Sequence, residues 1–198
     1  MKNLLMFLLI LLFSCSDNTL NPTQTENNNL TRFTLSTNST ITLQSIFDTS
    51  TSRNEYNKYL VLERDITYTG GIGIFEGNVF IEGNGAIIDL EGGTGIWVYG
   101  DEIVPANVDM EYLTIVNAEW YGVFYGGLAT GNITNCNFIN NGYGVQLYDY
   151  AEINITNTNF INNRIYGLVI VNTTSNCNIS YSNAWGNIEG NWAENTPG

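Results

Sequence analysis

The sequence predicts an all-β protein built as a solenoid of short, stacked strands, and two observations support this prediction. The first is an internal repeat of 22 to 27 residues that runs through most of the chain. The second is the content of each repeat, in which short runs of alternating apolar and polar residues are separated by Gly and Asn. Strands this short cannot bury their apolar faces alone, so successive units must stack on one another.

The repeat is clearest in two segments that lie 22 residues apart. NITNCNFINN begins at Asn132 and NITNTNFINN begins at Asn154, and the two differ only where Cys136 corresponds to Thr158. NISYSNAWGN is a third copy and NVDMEYLTIVN a looser one upstream. In this register the residues predicted to stack in the core are Ile133, Ile155 and Ile179, and Phe138, Phe160 and Ala184. Asn141, Asn163 and Asn187 are predicted to form a turn ladder whose side-chain amides bond to neighbouring coils.

A second strand repeats in the same register, with the pattern glycine, aliphatic residue, any residue, apolar residue. Its copies begin at Gly95, Gly122, Gly144 and Gly167, and a degenerate early copy begins at Gly73. Each unit therefore holds about three short strands. This arrangement resembles the right-handed parallel β-helix of the pectin-lyase-like superfamily, over roughly residues 59 to 192. The segment EGNGAIIDLEGG, from Glu82, is similar to the turn that opens many such helices. The resemblance implies five to six coils.

The N-terminus predicts a secretory leader. The apolar run Leu4 to Phe13 is too short to span a bilayer and suits the core of a signal peptide. The following Leu12-Phe13-Ser14-Cys15 resembles the lipobox of bacterial lipoproteins, although Phe13 replaces the usual small residue. The resemblance implies that Cys15 is acylated. Because Ser16 rather than Asp follows the Cys, the resemblance also implies that the protein is lipid-anchored in the outer membrane. Exposure at the cell surface is compatible with this location. The alternative is an ordinary secretory signal in which Cys15 has no role.

Four regions follow from these patterns. Residues 1–14 are the expected lipoprotein signal peptide, and 15–40 a flexible tether rich in Asn, Thr and Ser. Residues 41–58 are expected to form an N-terminal cap region, in which Thr42 to Phe47 covers the first coil. Residues 59–198 are the β-helix. No final apolar strand is predicted after the third repeat copy, so the chain is expected to be truncated at its C-terminus or to leave its last coil uncapped.

Charge and composition exclude several classes of function. Six Lys and Arg face 19 Asp and Glu, so the net charge is -13, which argues against nucleic-acid binding. A membrane contact is therefore expected through the lipid anchor only. The chain has no His, which removes His-based triads and zinc sites.

The β-helix resemblance raises the question of catalysis. In polygalacturonases the strand similar to the Gly-aliphatic repeat is preceded by catalytic Asp and His, whereas here it is preceded by Tyr121, Tyr143 and Tyr166. That mechanism does not carry over, and no catalytic residue is predicted. Lyases of this fold use an Arg or Lys base, for which Arg164 is the first candidate. A bound Ca²⁺ between Asp101 and Asp149 is disfavoured because the two lie two coils apart, roughly 10 Å. We therefore expect no cofactor, and Ca²⁺ is the one ion that remains an alternative.

The Gly-aliphatic strands predict an aromatic recognition surface instead. If the aliphatic residues point inward, alternation turns Trp97, Tyr99, Phe124, Gln146 and Tyr148 outward. A contiguous strip of exposed rings usually marks a binding surface, and rings beside acids and amides suit sugars. Asp101 and Asp149 are further candidates for contacts with hydroxyl groups. The alternative is that a tail, a loop or another subunit covers the strip.

The two cysteines of the repeat region are predicted to be unpaired. Cys177 aligns with the inward Ile153, whereas Cys136 aligns with turn residues, which places the two nearly two coils apart.

The predicted function is non-catalytic recognition or adhesion at the cell envelope, with polysaccharide as ligand. The alternatives are a polysaccharide lyase or related carbohydrate-active enzyme, including a degenerate one, and a purely structural surface repeat.

Overall fold

The computed structural model describes residues 41–193 and 195–196. The chain starts with β1 (Ile41–Thr42), α1 (Leu43–Thr49) and β2 (Thr51–Arg53). The next three coils are β3 (Tyr56–Val61), β4 (Thr67–Thr69) and β5 (Gly73–Ile74); β6 (Gly77–Glu82), β7 (Ile87–Asp89) and β8 (Ile96–Gly100); and β9 (Ala106–Glu111), β10 (Thr114–Val116) and β11 (Tyr121–Gly127). The last three are β12 (Thr130–Thr134), β13 (Asn137–Ile139) and β14 (Tyr143–Leu147); β15 (Glu152–Thr156), β16 (Asn159–Ile161) and β17 (Tyr166–Ile170); and β18 (Asn176–Ser180), β19 (Asn183–Trp185) and β20 (Gly190–Trp192).

These strands stack into three sheets that run the length of the molecule. Sheet 1 contains β2 and the first strand of every coil, sheet 2 contains β1 and every second strand, and sheet 3 contains every third strand. Strands of successive coils pair in parallel, and β2 joins β3 in antiparallel orientation. The described residues therefore form a parallel β-helix of six coils, which confirms the predicted fold class.

The inward side chains stack in the predicted register. Ile133, Ile155 and Ile179 are partners on adjacent strands of sheet 1. On sheet 2, Phe138 pairs with Phe160, and their rings stack with centroids 5.4 Å apart. Like side chains stacked in this way place equivalent apolar groups in successive layers of the interior, as close packing of a protein core requires.

Three buried asparagines form the predicted turn ladder. The Oδ1 of Asn141 accepts a hydrogen bond from the Ala118 N–H (2.9 Å), and Asn163 Oδ1 accepts from the Asn141 N–H (3.0 Å). Asn187 repeats the pattern one coil further on. Each amide nitrogen also donates to a backbone carbonyl of the preceding coil. The ladder therefore satisfies backbone groups that the turn leaves unpaired inside the protein.

Asparagine also supplies the left-handed backbone that the turns need. Asn135 and Asn157 have φ of 54° and 51° between sheets 1 and 2, and Asn140 and Asn162 have φ of 57° and 52° after sheet 2. Among residues with a side chain, Asn adopts this conformation most readily. This requirement explains part of the Asn enrichment.

Helix α1 packs at the N-terminal end of the core. The Thr42 side chain caps the helix by accepting from the Ser45 N–H. Leu43 is buried, and Ile46 and Phe47 pack against the core cluster. No helix in the described residues is long and apolar enough to cross a membrane. The predicted signal peptide, its lipid-bearing Cys15 and the tether lie outside the described residues.

The last coil differs from the sequence-based expectation. Residues Gly190 to Trp192 form a third strand, β20, which pairs with β17. The Trp192 ring packs edge-on against Phe160, with centroids 5.7 Å apart. The strand was missed because it has one large apolar residue and therefore no alternating pattern.

Both cysteines in the described residues are free, as predicted, and both are buried. Cys177 pairs with Ile153 on the inward face of sheet 1. The Cys136 thiol lies at the following turn, where its sulfur contacts the Thr134 carbonyl oxygen at 3.2 Å.

Candidate functional site

The outer face of sheet 3 is the candidate site, and backbone alternation positions its side chains. Ile96 and Val98 of β8 are fully buried, as are Val145 and Leu147 of β14, so the residues between them point outward. Strand pairing arranges these outward residues in three columns that cross the strands. The first column contains Tyr121, Tyr143 and Tyr166; the second contains Trp97, Phe124, Gln146 and Val169; and the third contains Tyr99, Gly126 and Tyr148.

Phe124 is outward, as predicted, but the expectation that its ring is exposed is wrong. Its side chain is only 5% exposed and does not belong to the interior core. The Trp97 ring lies over it with centroids 4.2 Å apart, and the Tyr121 ring lies 5.4 Å away. A Cβ on Gly126 would meet the Phe124 ring at 2.6 Å, so this glycine leaves the space that the ring occupies. Phe124 is therefore the floor of the aromatic surface.

Tyr99 and Tyr148 are the well-exposed rings of this surface. Their exposed fractions are 41% and 42%. Neither ring packs against another aromatic ring of the described residues. The Tyr99 ring lies against Gly126 and Gly127, where a Cβ would meet it at 3.0 and 3.1 Å, so a ligand would contact its exposed side and the Tyr148 ring. They lie two coils apart, on either side of Gly126, or roughly 10 Å from strand spacing.

The neighbouring tyrosines extend the surface across the coils. Tyr121 and Tyr143 stack with centroids 5.6 Å apart, and Tyr121 also meets the edge of Trp97 at 5.9 Å. Burial raises the pKa of Tyr143 above its usual value, with smaller contributions from Tyr121, Tyr166 and Glu189. Tyr121 and Tyr143, which precede the aliphatic residues of their strands, thus extend the surface formed by Trp97 and Phe124.

Gln146 contributes the amide of this surface. It is half-buried between Phe124 and Val169 in the second column. Its side chain makes no hydrogen bond with any residue that the structure describes. One donor group and one acceptor group are therefore available beside the Tyr148 ring.

Asp101 and Asp149 lie at the ends of β8 and β14, and both contribute to turns. The Asp101 carboxylate accepts from the N–H groups of Ile103 (2.8 Å) and Val104 (2.7 Å), which lowers the pKa of this exposed carboxyl. Asp149 has a left-handed φ of 61°, and its carbonyl oxygen accepts from the hydroxyl groups of Thr174 and Ser175. Among the described residues, Asp101 Oδ2 and the Asp149 carboxylate make no hydrogen bond.

Two further features border the surface. A cleft of about 460 Å³ lies beside Trp97, and its lining includes Gln44, Gly71, Gly73, Phe75 and Gly95. Arg164, the candidate lyase base, donates through its guanidinium to the carbonyl oxygens of Ala118 (3.1 Å) and Glu119. The guanidinium thus links its own coil to the one that contains Ala118 and Glu119, and in this position it is badly placed to remove a proton from a substrate.

Sequence reasoning missed a group of carboxylates on sheet 1. Glu82 and Glu111 are direct partners on β6 and β9, and the Tyr59 hydroxyl donates to Glu82 at 3.0 Å. Tyr56 donates to Asp109 at 2.7 Å, and burial with this hydrogen bond raises the tyrosine pKa. Extending the repeat register upstream would have aligned the two glutamates. Among the described residues, no three His, Cys, Asp or Glu side chains gather closely enough to hold a metal ion.

The comparison with known families agrees with this architecture. A family model described as "Right handed beta helix region" matches residues 64–198, which is more than half of the chain. The protein therefore belongs to the right-handed β-helix family. No curated protein and no solved structure matches the chain significantly. Because this fold supports many activities, function must be argued from the site.

Proposed function

We propose that the protein recognises polysaccharide at the cell envelope without catalysis, and that the outer face of sheet 3 is its binding surface. The observation that carries the proposal is the pair of open rings, Tyr99 and Tyr148, on a continuous aromatic surface. Open aromatic faces stack on the apolar faces of sugar rings, and adjacent amide and hydroxyl groups bond to sugar hydroxyls.

Three properties of the surface support binding rather than turnover. Its outward residues are aromatic, aliphatic or amide side chains, which supply neither a carboxylate pair nor a base. Arg164 makes hydrogen bonds to backbone carbonyls. The Trp97 and Tyr121 rings pack on the buried Phe124 ring, so this part of the surface is formed before any ligand arrives, which lowers the cost of binding.

The first test replaces the two open rings. The double variant Tyr99→Ala and Tyr148→Ala should reduce glycan affinity by at least about tenfold. Each ring that stacks on a sugar is expected to contribute on the order of 1 kcal/mol to the binding free energy. The thermal transition should move little, since both side chains are exposed. Binding is measured by titration calorimetry with oligosaccharides selected on a glycan array.

A matched control is available on another face. Tyr112 is 52% exposed and has a left-handed φ of 52°, at a turn position where other coils carry Asn. Tyr112→Asn therefore removes an exposed ring without new backbone strain and should leave glycan affinity unchanged. Equal loss of affinity in the control and the double variant, or none in the double variant, contradicts the assignment of the site.

The envelope location rests on the lipobox-like segment that ends at Cys15. Acylation of this residue would tether the β-helix to the membrane, with the intervening residues as a linker. Cys15→Ala should abolish incorporation of labelled palmitate and leave an uncleaved precursor. Palmitate labelling that persists in this variant would show that Cys15 carries no lipid.

A further inference from the structure

The outer face of sheet 3 carries no charge, although the net charge of the chain is -13. Every outward residue of β8, β11, β14 and β17 is aromatic, aliphatic, amide or glycine. This contrasts with the outer face of sheet 1, where Glu82, Asp109, Glu111 and Glu152 point outward. Charge is therefore distributed unevenly between the two faces.

Carboxylates surround this uncharged face at both ends of its strands. Those that precede or follow the strands of sheet 3 are Glu76, Asp101, Glu102, Glu119, Asp149 and Glu189. All but the half-buried Asp149 are exposed. A ligand that lies across the strands would come within a Debye length of several of these groups, about 8 Å at physiological ionic strength.

Within the part of the chain that the structure describes, a single cation accompanies these six carboxylates at the edges of sheet 3. Arg164 is the one basic residue in the described segments that join the strands of this sheet to their neighbours. Its guanidinium nitrogen Nη2 donates to the carbonyl oxygens of Ala118 (3.1 Å) and Glu119. The edges of sheet 3 thus hold these six carboxylates and one guanidinium, an excess of negative charge that repels an anionic ligand.

We infer that the ligand of this surface is a neutral polysaccharide, and that uronate-containing or sulfated chains are rejected. The inference rests on the proposed function and adds the chemical class of the ligand. Hydroxyl groups of a neutral sugar match the Gln146 amide and the tyrosine hydroxyls, and its apolar faces match Tyr99 and Tyr148. The column of Tyr121, Tyr143 and Tyr166 aligns the chain across the strands, along the axis of the β-helix.

The test uses pairs of ligands that differ only at C6, where one member carries a carboxylate and the other a neutral hydroxymethyl group. One pair is polygalacturonate and its carboxyl-reduced product, and the other is a β-1,4-glucan oligosaccharide and its 6-carboxylated form. For the pair whose backbone binds, the neutral member should bind at least about tenfold more tightly at low ionic strength, because unpaired like charges repel within a Debye length. Added salt should reduce the difference in affinity between the neutral and the carboxylated member, and the affinity of the neutral member should stay unchanged.

A charge-neutral variant of the protein gives the reciprocal test. Glu102, Glu119 and Glu189 are exposed and lie outside the ring surface. The triple variant Glu102→Gln, Glu119→Gln and Glu189→Gln should gain affinity for the carboxylated member and keep its affinity for the neutral one. Equal or tighter binding of the carboxylated member by the wild-type protein overturns this inference and leaves the proposed function standing. If the protein binds no member of the two pairs and no neutral glycan on the array, the proposed function itself is overturned.

Discussion

At the scale of single residues, buried polar groups are retained in this protein because each replaces a missing backbone partner. Asn163 accepts from the Asn141 N–H and donates to the Phe138 carbonyl. Its loss would leave two buried backbone groups unpaired, at a cost of about 1 to 3 kcal/mol each. Thr158 acts similarly one turn earlier, where its hydroxyl donates to the Thr156 carbonyl. Asn163 and Thr158 are polar residues, yet both side chains are buried inside the coil.

Cys136 occupies the position equivalent to Thr158 and provides a pH-dependent prediction. Burial raises the pKa of its thiol from about 9 to about 12. The folded state therefore keeps a proton that the unfolded chain releases, so this contribution to stability is complete below about pH 9 and declines as the pH rises toward 12. Cys136→Thr should cost little at pH 8, because Thr fits the same turn one coil away.

The measurement is urea denaturation of both proteins at about pH 8 and about pH 10.5. Between these values the wild type should lose about 2 kcal/mol more unfolding free energy than Cys136→Thr, because one raised thiol changes stability by about 1.4 kcal/mol per pH unit. Titration of tyrosines and lysines affects both proteins and cancels in the difference. Parallel losses in the two proteins would show that the thiol is accessible to solvent.

At the scale of elements, each strand must direct one set of side chains inward and the other outward, and register determines which. Ile155 of β15 is fully buried between Ile133 and Ile179, whereas its neighbour Asn154 is exposed. The exposed asparagines form their own ladder, in which Asn154 donates to Asn132 at 3.0 Å. A shift of one residue would exchange these two faces along the whole sheet.

The two neighbouring residues on β15 therefore respond differently to substitution. Ile155→Asn should destabilise the protein by about 3 kcal/mol or more, since it removes a stacked aliphatic group and buries an amide. Asn154→Thr should change the unfolding free energy by no more than about 0.5 kcal/mol, because the two ladder bonds that it loses are exposed and the strand favours Thr. Chemical denaturation compares them, and similar losses at both sites would refute the register.

The repeat made the backbone predictable, because identical positions in successive coils must occupy equivalent places. It placed Ile155 and Phe160 inward and Asn163 in the turn ladder, all as the structure has them. It could not show which outward ring covers which, because that depends on side chains of unequal size packing across strands. Phe124 is the clearest case, since it is outward by alternation and buried by Trp97 and Tyr121.

At the scale of the whole molecule, stacking converts a one-dimensional repeat into faces with different chemistry. Sheet 1 presents asparagine, hydroxyl and carboxylate ladders, whereas sheet 3 presents an uncharged aromatic surface. Glu82 and Glu111 lie in two divergent copies of the repeat, so their pairing emerges only when the register is extended upstream of the clear copies. The same stacking brings Tyr99 and Tyr148, which are distant in sequence, onto one face.

The most direct test of the binding surface is hydroxyl-radical footprinting with and without a bound neutral oligosaccharide. The method reports the solvent exposure of each tyrosine side chain in one sample. Tyr99 and Tyr148 should be oxidised more slowly in the complex, while Tyr112 and Tyr181, exposed on other parts of the coil, should react at unchanged rates. Protection of Tyr112 or Tyr181, with Tyr99 and Tyr148 unaffected, would place the ligand elsewhere and contradict the account.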